Sequence, residues 1–138
     1  MRAESVFGPV SVLAIWTLMV VLLVGVRRVR AARAGRVPRD AFKLGEAPGV
    51  PGDVVVANRN LMNLLELPVL FYVAAIALYV THHVTPRILA LAWIYVGFRL
   101  AHSAIHLTSN RILRRLAVFA LGNIVLAAIW VAFICAVA

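Results

Sequence analysis

A chain of 138 residues that is 64% hydrophobic and only 14% charged, with a mean hydropathy of +0.97, is too apolar for a soluble globular domain. Its net charge of +9 comes from 14 Lys and Arg against 5 Asp and Glu. Those cations flank apolar runs and lack interleaved aromatics, which sets nucleic-acid binding aside and points to membrane surfaces.

Four runs reach the length of a membrane span, about 20 helical residues at about 1.5 Å each. They cover 5–26, 61–80, 87–107 and 116–138, and they predict an all-α membrane protein: a four-transmembrane-helix bundle in one domain, 1–138, with one long loop at 27–60. The first run follows Arg2 as a secretory signal would. Its apolar stretch is longer than a signal core, however, and passes into "GVRRVRAARAGR" without a small-x-small cleavage site, so a retained helix is expected. The segment "RRVRAARAGRV" favours helix and should carry span one into the headgroup region, where arginine stems lie on apolar surface and their heads meet phosphates. In "PRDAFKLGEAPGVPGD" three prolines and three glycines forbid a regular helix. Regular structure should resume near "VVVANRN", with Asn58 or Asn60 as a candidate cap for span two.

Arg27, Arg28, Arg30, Arg33, Arg36, Arg39, Lys43 and Arg59 lie between spans one and two, and Arg111, Arg114 and Arg115 between spans three and four. The opposite side carries only Arg2 and Arg87, so the positive-inside rule puts both basic loops in the cytoplasm and both termini outside. His82 and His83 fall in the short outer turn "THHVTP" and should be solvated. Cys135 is the single cysteine, which rules out an intrachain disulfide and suggests a small core residue.

The run "RNLMNLLELPVLFY" at 59–72 places a glutamate inside span two. A carboxylate facing lipid costs a few kcal/mol, so Glu66 should face the bundle interior and find a partner. Arg59, Asn63 and Glu66 are spaced by four and three residues and share one helical face. Span three carries a matching stripe of Tyr95, Arg99, His102, His106 and Asn110, which makes Arg99 the expected counter-ion of Glu66. The plain alternative is a Glu–Arg pair that only sets helix register. Pro68 removes one backbone donor, which should kink the span and free a carbonyl near this polar cluster. Haem ligation by His102 and His106 is excluded, because residues four apart on one helix cannot take opposite axial positions. No metal site is read from the sequence.

Over nearly its whole length the chain resembles the membrane-associated proteins in eicosanoid and glutathione metabolism, the MAPEG family, and within it a bacterial-type member. The resemblance rests on the number of spans, the long basic first loop and two motifs. Arg59, Asn63, Glu66 and Pro68 match an Arg-x-x-x-Asn-x-x-Glu element followed by proline, and Arg99 and His102 in "RLAHSAIH" match an Arg-x-x-His-x-x-x-Tyr element. It implies a homotrimer in a bacterial inner membrane, with glutathione as co-substrate at the subunit interfaces near the cytoplasmic side. Arg59, Asn63, Glu66, Arg99, His102 and His106 would then line the glutathione site, and Arg27, Arg28 or Arg30 would reach it from a neighbouring subunit. Arg115 or Arg114, at the start of span four, would stabilise the thiolate. The implied activity is that of a membrane glutathione transferase or peroxidase, in which a hydrophobic electrophile arrives from the lipid. Two departures weigh against phenol-dependent steps: His106 replaces the tyrosine that closes the second motif, and Phe119 stands where some members carry another. The Glu-to-Pro spacing is also shorter than in the prostaglandin synthase-like members. Two other functions fit the same residues: a non-enzymatic lipid-binding or scaffold trimer, and a small proton-coupled transporter using Glu66, which a neighbouring Arg99 would disfavour by hindering protonation. The small residues Ala90, Ala92, Gly97, Ala101 and Ala104 permit close helix approach.

Overall fold

The computed structural model describes residues 2–38, 40–43, 45 and 47–138, so Arg39, counted above among the loop cations, lies outside the described residues. A 3-10 turn, Ala3–Val6, leads into α1 (Phe7–Arg33); α2 (Gly52–Leu65) and α3 (Pro68–Val80) follow, then α4 (Pro86–Leu107) and α5 (Ile112–Val137). Four helical segments are long and apolar enough to cross a membrane: Ala3–Arg33, Gly52–Val80, Pro86–Leu107 and Ile112–Val137. The core between them is narrow and built from Leu13, Val20, Leu64, Phe71, Leu78, Tyr95, Leu126 and Ile129. Many aliphatic side chains point outward instead, among them Leu18, Leu22, Val80 and Ile124. That distribution suits a chain whose solvent is hydrocarbon and would be an aggregation hazard in water.

Local chemistry explains most helix ends. Beyond α1, Gly35 adopts φ +64°. Its N–H bonds Ala32 O at 3.1 Å while that of Arg36 bonds Ala31 O at 3.0 Å, a Schellman cap that only a residue free to enter the left-handed region closes cheaply. The basic end of span one is helical as expected, through Arg33. At the start of α4 the Thr85 hydroxyl accepts the Ile88 N–H at 3.2 Å, with Pro86 in the first turn.

Span two ends at Val80 as expected but departs from expectation at its start and in its middle. It begins at Gly52 rather than near residue 61, after an extended Pro51 and with Asp53 in its first turn, where a carboxylate offsets the helix dipole. Neither candidate asparagine caps it. Asn58 accepts a hydrogen bond from Arg28 Nη2 at 3.0 Å, and Asn60 lies wholly buried in mid-helix. The proline kink is a full break, with α2 stopping at Leu65 and α3 restarting at Pro68. Asn110 also leaves its predicted stripe. Helix α4 ends at Leu107, and Asn110 sits beyond it at φ +45°, closing a tight turn through its N–H to Ile105 O at 2.8 Å. Two smaller expectations change as well. Cys135 is exposed on the protomer because the last turns of α5 lie outside the core, and His83 is half-buried while His82 is exposed.

Helix register is set by polar contacts within the bundle. Ser103 Oγ on α4 accepts Trp16 Nε1 of α1 at 2.9 Å and Asn60 Nδ2 of α2 at 2.7 Å, joining three helices at one buried hydroxyl. Arg27 donates to the Asp53 carbonyl at 2.6 Å and Arg36 pairs with the Asp53 carboxylate at 3.5 Å, drawing the ends of the loop onto α2. Substituting Ser103→Ala leaves two buried donors without an acceptor and is expected to cost about 1–3 kcal/mol. Thermal melting in detergent should show a clear drop for this variant and none for Ser109→Ala, which alters an exposed turn residue.

Candidate functional site

The break in span two shapes the site. The last carbonyls of a helix have no intrahelical acceptor role to fill, and with α2 ending at Leu65 the Asn63 carbonyl is one of these. Arg99, whose residue is only 1% exposed, donates from Nη2 to Asn63 O at 2.6 Å and to Asn63 Oδ1 at 2.8 Å. Its guanidinium also lies over the Phe119 ring, 5.7 Å from the centroid. The expected Glu66–Arg99 ion pair is not formed. Among the described residues the one salt bridge is Arg36–Asp53, in the loop region. Arg99 is engaged by Asn63 instead, while Glu66, the residue at which α2 stops, lies exposed in the cavity wall.

Beside this contact lies a cavity of about 450 Å³, within the range of small-molecule sites. Its polar wall is Arg59, Asn63 and Glu66 from span two, His102 and His106 from α4, and Arg115 from the first turns of α5. Met62, Ile112, Leu116 and Phe119 form its apolar wall. Two guanidinium groups against one carboxylate leave the cavity cationic when both histidines are neutral, which suits a ligand with more acidic than basic groups.

The side chains on α4 and α5 are held in defined orientations. The rings of His102 and His106 stack, with centroids 6.0 Å apart and planes 14° from parallel, and His102 also packs on Phe119 at 5.4 Å. His102 Nδ1 lies 3.2 Å from the Arg115 carbonyl. A carbonyl can only accept, so this contact makes Nδ1 the donor and leaves Nε2 as the ring's other nitrogen for a ligand. Arg115 Nη1 donates to Asn110 Oδ1 at 2.8 Å. No side chain caps the N-terminus of α5, whose partial positive charge therefore stands uncompensated beside the wall formed by Ile112, Arg115 and Leu116.

Six of the eleven candidate residues named from the sequence thus meet at one cavity: Arg59, Asn63, Glu66, His102, His106 and Arg115. Arg99 stands directly behind Asn63. Arg28 does not join them in the protomer, since it is engaged by Asn58 and lies over the Phe42 ring at 4.9 Å. Arg114 is exposed and outside the cavity wall. The apolar wall had no distinguishing signal, because aliphatic residues fill every span. The role of Asn110 beside Arg115 depends on a turn that helical periodicity does not describe.

Comparison with known proteins gives no match among curated proteins and none among solved structures. The MAPEG family model, in contrast, matches residues 6–135, almost the entire chain. The four apolar helices and this match make the protein an integral membrane protein, and the chain belongs to the MAPEG family, which includes glutathione transferases and related members.

Proposed function

We propose that the cavity binds glutathione and uses its thiolate to conjugate hydrophobic electrophiles. The observation that carries this reading is the convergence of Arg59, Asn63 and Glu66 with His102, His106 and Arg115 on one cavity whose other wall is apolar. The donor set suits the ligand. Glutathione has two carboxylates for guanidinium groups, an ammonium for Glu66, amides for Asn63, and a thiol that reacts as thiolate. Arg115 and the uncapped end of α5 supply the positive charge that favours the thiolate, and no phenol takes part, in keeping with His106 and Phe119 at the tyrosine positions. The apolar wall receives the electrophile from lipid. In conjugation the sulfur donates its electron pair to an electrophilic carbon, a carbon–sulfur bond forms, and the leaving group departs with its own pair. In peroxide reduction at the same site the thiolate attacks a peroxide oxygen, the O–O bond breaks and the alcohol leaves with one proton, and a second glutathione thiol then displaces the sulfenic oxygen as water to give glutathione disulfide.

The reading includes a homotrimer in a bacterial inner membrane with both basic loops on the cytoplasmic side. Ala90, Gly97, Ala101 and Ala104 support close packing between subunits, since all four are exposed on the protomer and recur on one side of α4. Arg27, Arg28 or Arg30, near the end of α1, is the cation that this reading assigns to a neighbouring subunit's site.

Three outcomes follow. Glu66→Gln and Arg99→Leu should each weaken glutathione binding by about tenfold or more, as loss of a charged hydrogen-bonding group does. Equilibrium titration in detergent measures this, and unchanged binding in both variants would remove the site. Arg115→Ala should slow the single-turnover reaction by about 10–100-fold while changing glutathione affinity far less, because it destabilises the thiolate rather than the bound tripeptide. Stopped-flow ultraviolet absorbance of the thiolate separates the two effects. Native mass spectrometry from mild detergent should show three chains with glutathione retained, whereas a monomer that keeps full activity would exclude the trimer.

A further inference from the structure

Arg115 is a long, flexible side chain at the mouth of a cavity, and a cation that wanders over several rotamers stabilises a fixed negative charge poorly. Its neighbourhood shows how it is kept in place. Asn110 occupies the turn between α4 and α5 in the left-handed region, φ +45°, where asparagine is among the few residues with a side chain that sit without large strain. Its N–H is tied to Ile105 O at 2.8 Å, anchoring it to the end of α4. An asparagine just ahead of a helix ordinarily spends its amide oxygen on the first N–H groups. Here α5 has no capping side chain, and the Asn110 oxygen instead accepts Arg115 Nη1 at 2.8 Å. From the other side His102 Nδ1 reaches the Arg115 carbonyl at 3.2 Å. Backbone and head group of Arg115 are therefore both tied to residues fixed by α4.

We propose that Asn110 is a positioning residue that holds the Arg115 guanidinium at the cavity wall, where its remaining N–H groups face the sulfur of the bound thiol. The proposal rests on the reading of Arg115 as the thiolate-stabilising cation. It assigns the left-handed turn a role in the chemistry rather than only in chain reversal. The choice of asparagine follows from two requirements met at once: a residue tolerant of positive φ, and a neutral oxygen that directs a guanidinium without cancelling its charge.

The test uses the full-length protein in detergent at saturating glutathione, with the titration of bound thiol followed by ultraviolet absorbance across pH. Asn110→Gly keeps the turn conformation and removes the oxygen. It should raise the midpoint of thiolate formation by about half to one pH unit and lower kcat about three- to tenfold, with glutathione Kd changed by less than about threefold. Asn110→Asp keeps turn and oxygen but adds a carboxylate against Arg115, and should also raise the midpoint while melting at the wild-type temperature. In an Arg115→Ala background, Asn110→Gly should add nothing further, because both substitutions act through one group. A wild-type midpoint in Asn110→Gly, with a shifted one in Arg115→Ala, overturns the proposal and leaves the Arg115 reading standing. An unshifted midpoint in Arg115→Ala overturns both. An Asn110→Gly effect that persists in full without Arg115 also overturns it, since the turn would then act through folding alone.

Discussion

A guanidinium buried among membrane helices depends on protein partners, and in this fold one residue supplies the acceptors for Arg99 Nη2. Arg99 is almost wholly enclosed and donates two hydrogen bonds to a single residue, Asn63, at its side-chain oxygen and its backbone carbonyl. The carbonyl is available only because α2 ends two residues later. Proline at position 68 cannot supply the N–H that would continue the helix, so the break, the free carbonyl and the placement of Arg99 form one connected arrangement. Restoring a continuous helix would withdraw the acceptor and leave a buried charge under-coordinated, a costly outcome in a low-dielectric interior.

The polar side chains of α2 serve two tasks on different faces. On one face, Asn60 joins Trp16 at the Ser103 hydroxyl, which ties α1, α2 and α4 together within the bundle. On the other, Arg59, Asn63 and Glu66 line the cavity, and Glu66 forms no salt bridge with Arg99. Ser103, Asn60 and Trp16 are thus bonded together inside the bundle, and the groups with chemistry to offer face a cavity. This division is what makes a tripeptide with mixed charges a sensible ligand for the site.

Much of this was legible from residues alone. Apolar run length located the spans because the cost of unsatisfied backbone in lipid leaves helices little alternative, and Thr85–Pro86 marks a helix start by ordinary capping chemistry. The recurrence of Asn63 and of Arg99, His102 and His106 at helical spacing was enough to bring their helices together on one polar side. The errors have two causes. A helical wheel assumes that the helix continues, which carries the α4 stripe on to Asn110, past the last helical residue, and spacing along one face does not decide whether Asn63 or Glu66 engages Arg99. The apolar run marks span two only from residue 61, because Asp53, Asn58, Arg59 and Asn60 lower the hydropathy of a segment that is helical from Gly52, close to the "VVVANRN" where regular structure is expected to resume. Asn58 is used for a contact with α1 and Asn60 for one with α4, while Asp53 and Arg59 are exposed.

The length of α1 carries a consequence of its own. With the leading turn it forms a helical segment of 31 residues, roughly 46 Å long against a hydrocarbon core of about 30 Å. Exposed Leu22, Val26 and Val29 run up to exposed Arg30 and Arg33, so apolar and cationic surface meet within about one turn. Arginine stems can lie in either environment while their heads reach outward. Hydrophobic mismatch is therefore absorbed at this end of the bundle: a thicker or thinner bilayer shifts the boundary along α1 by a residue or two, without tilting the helices that hold Arg99 and Asn63 together.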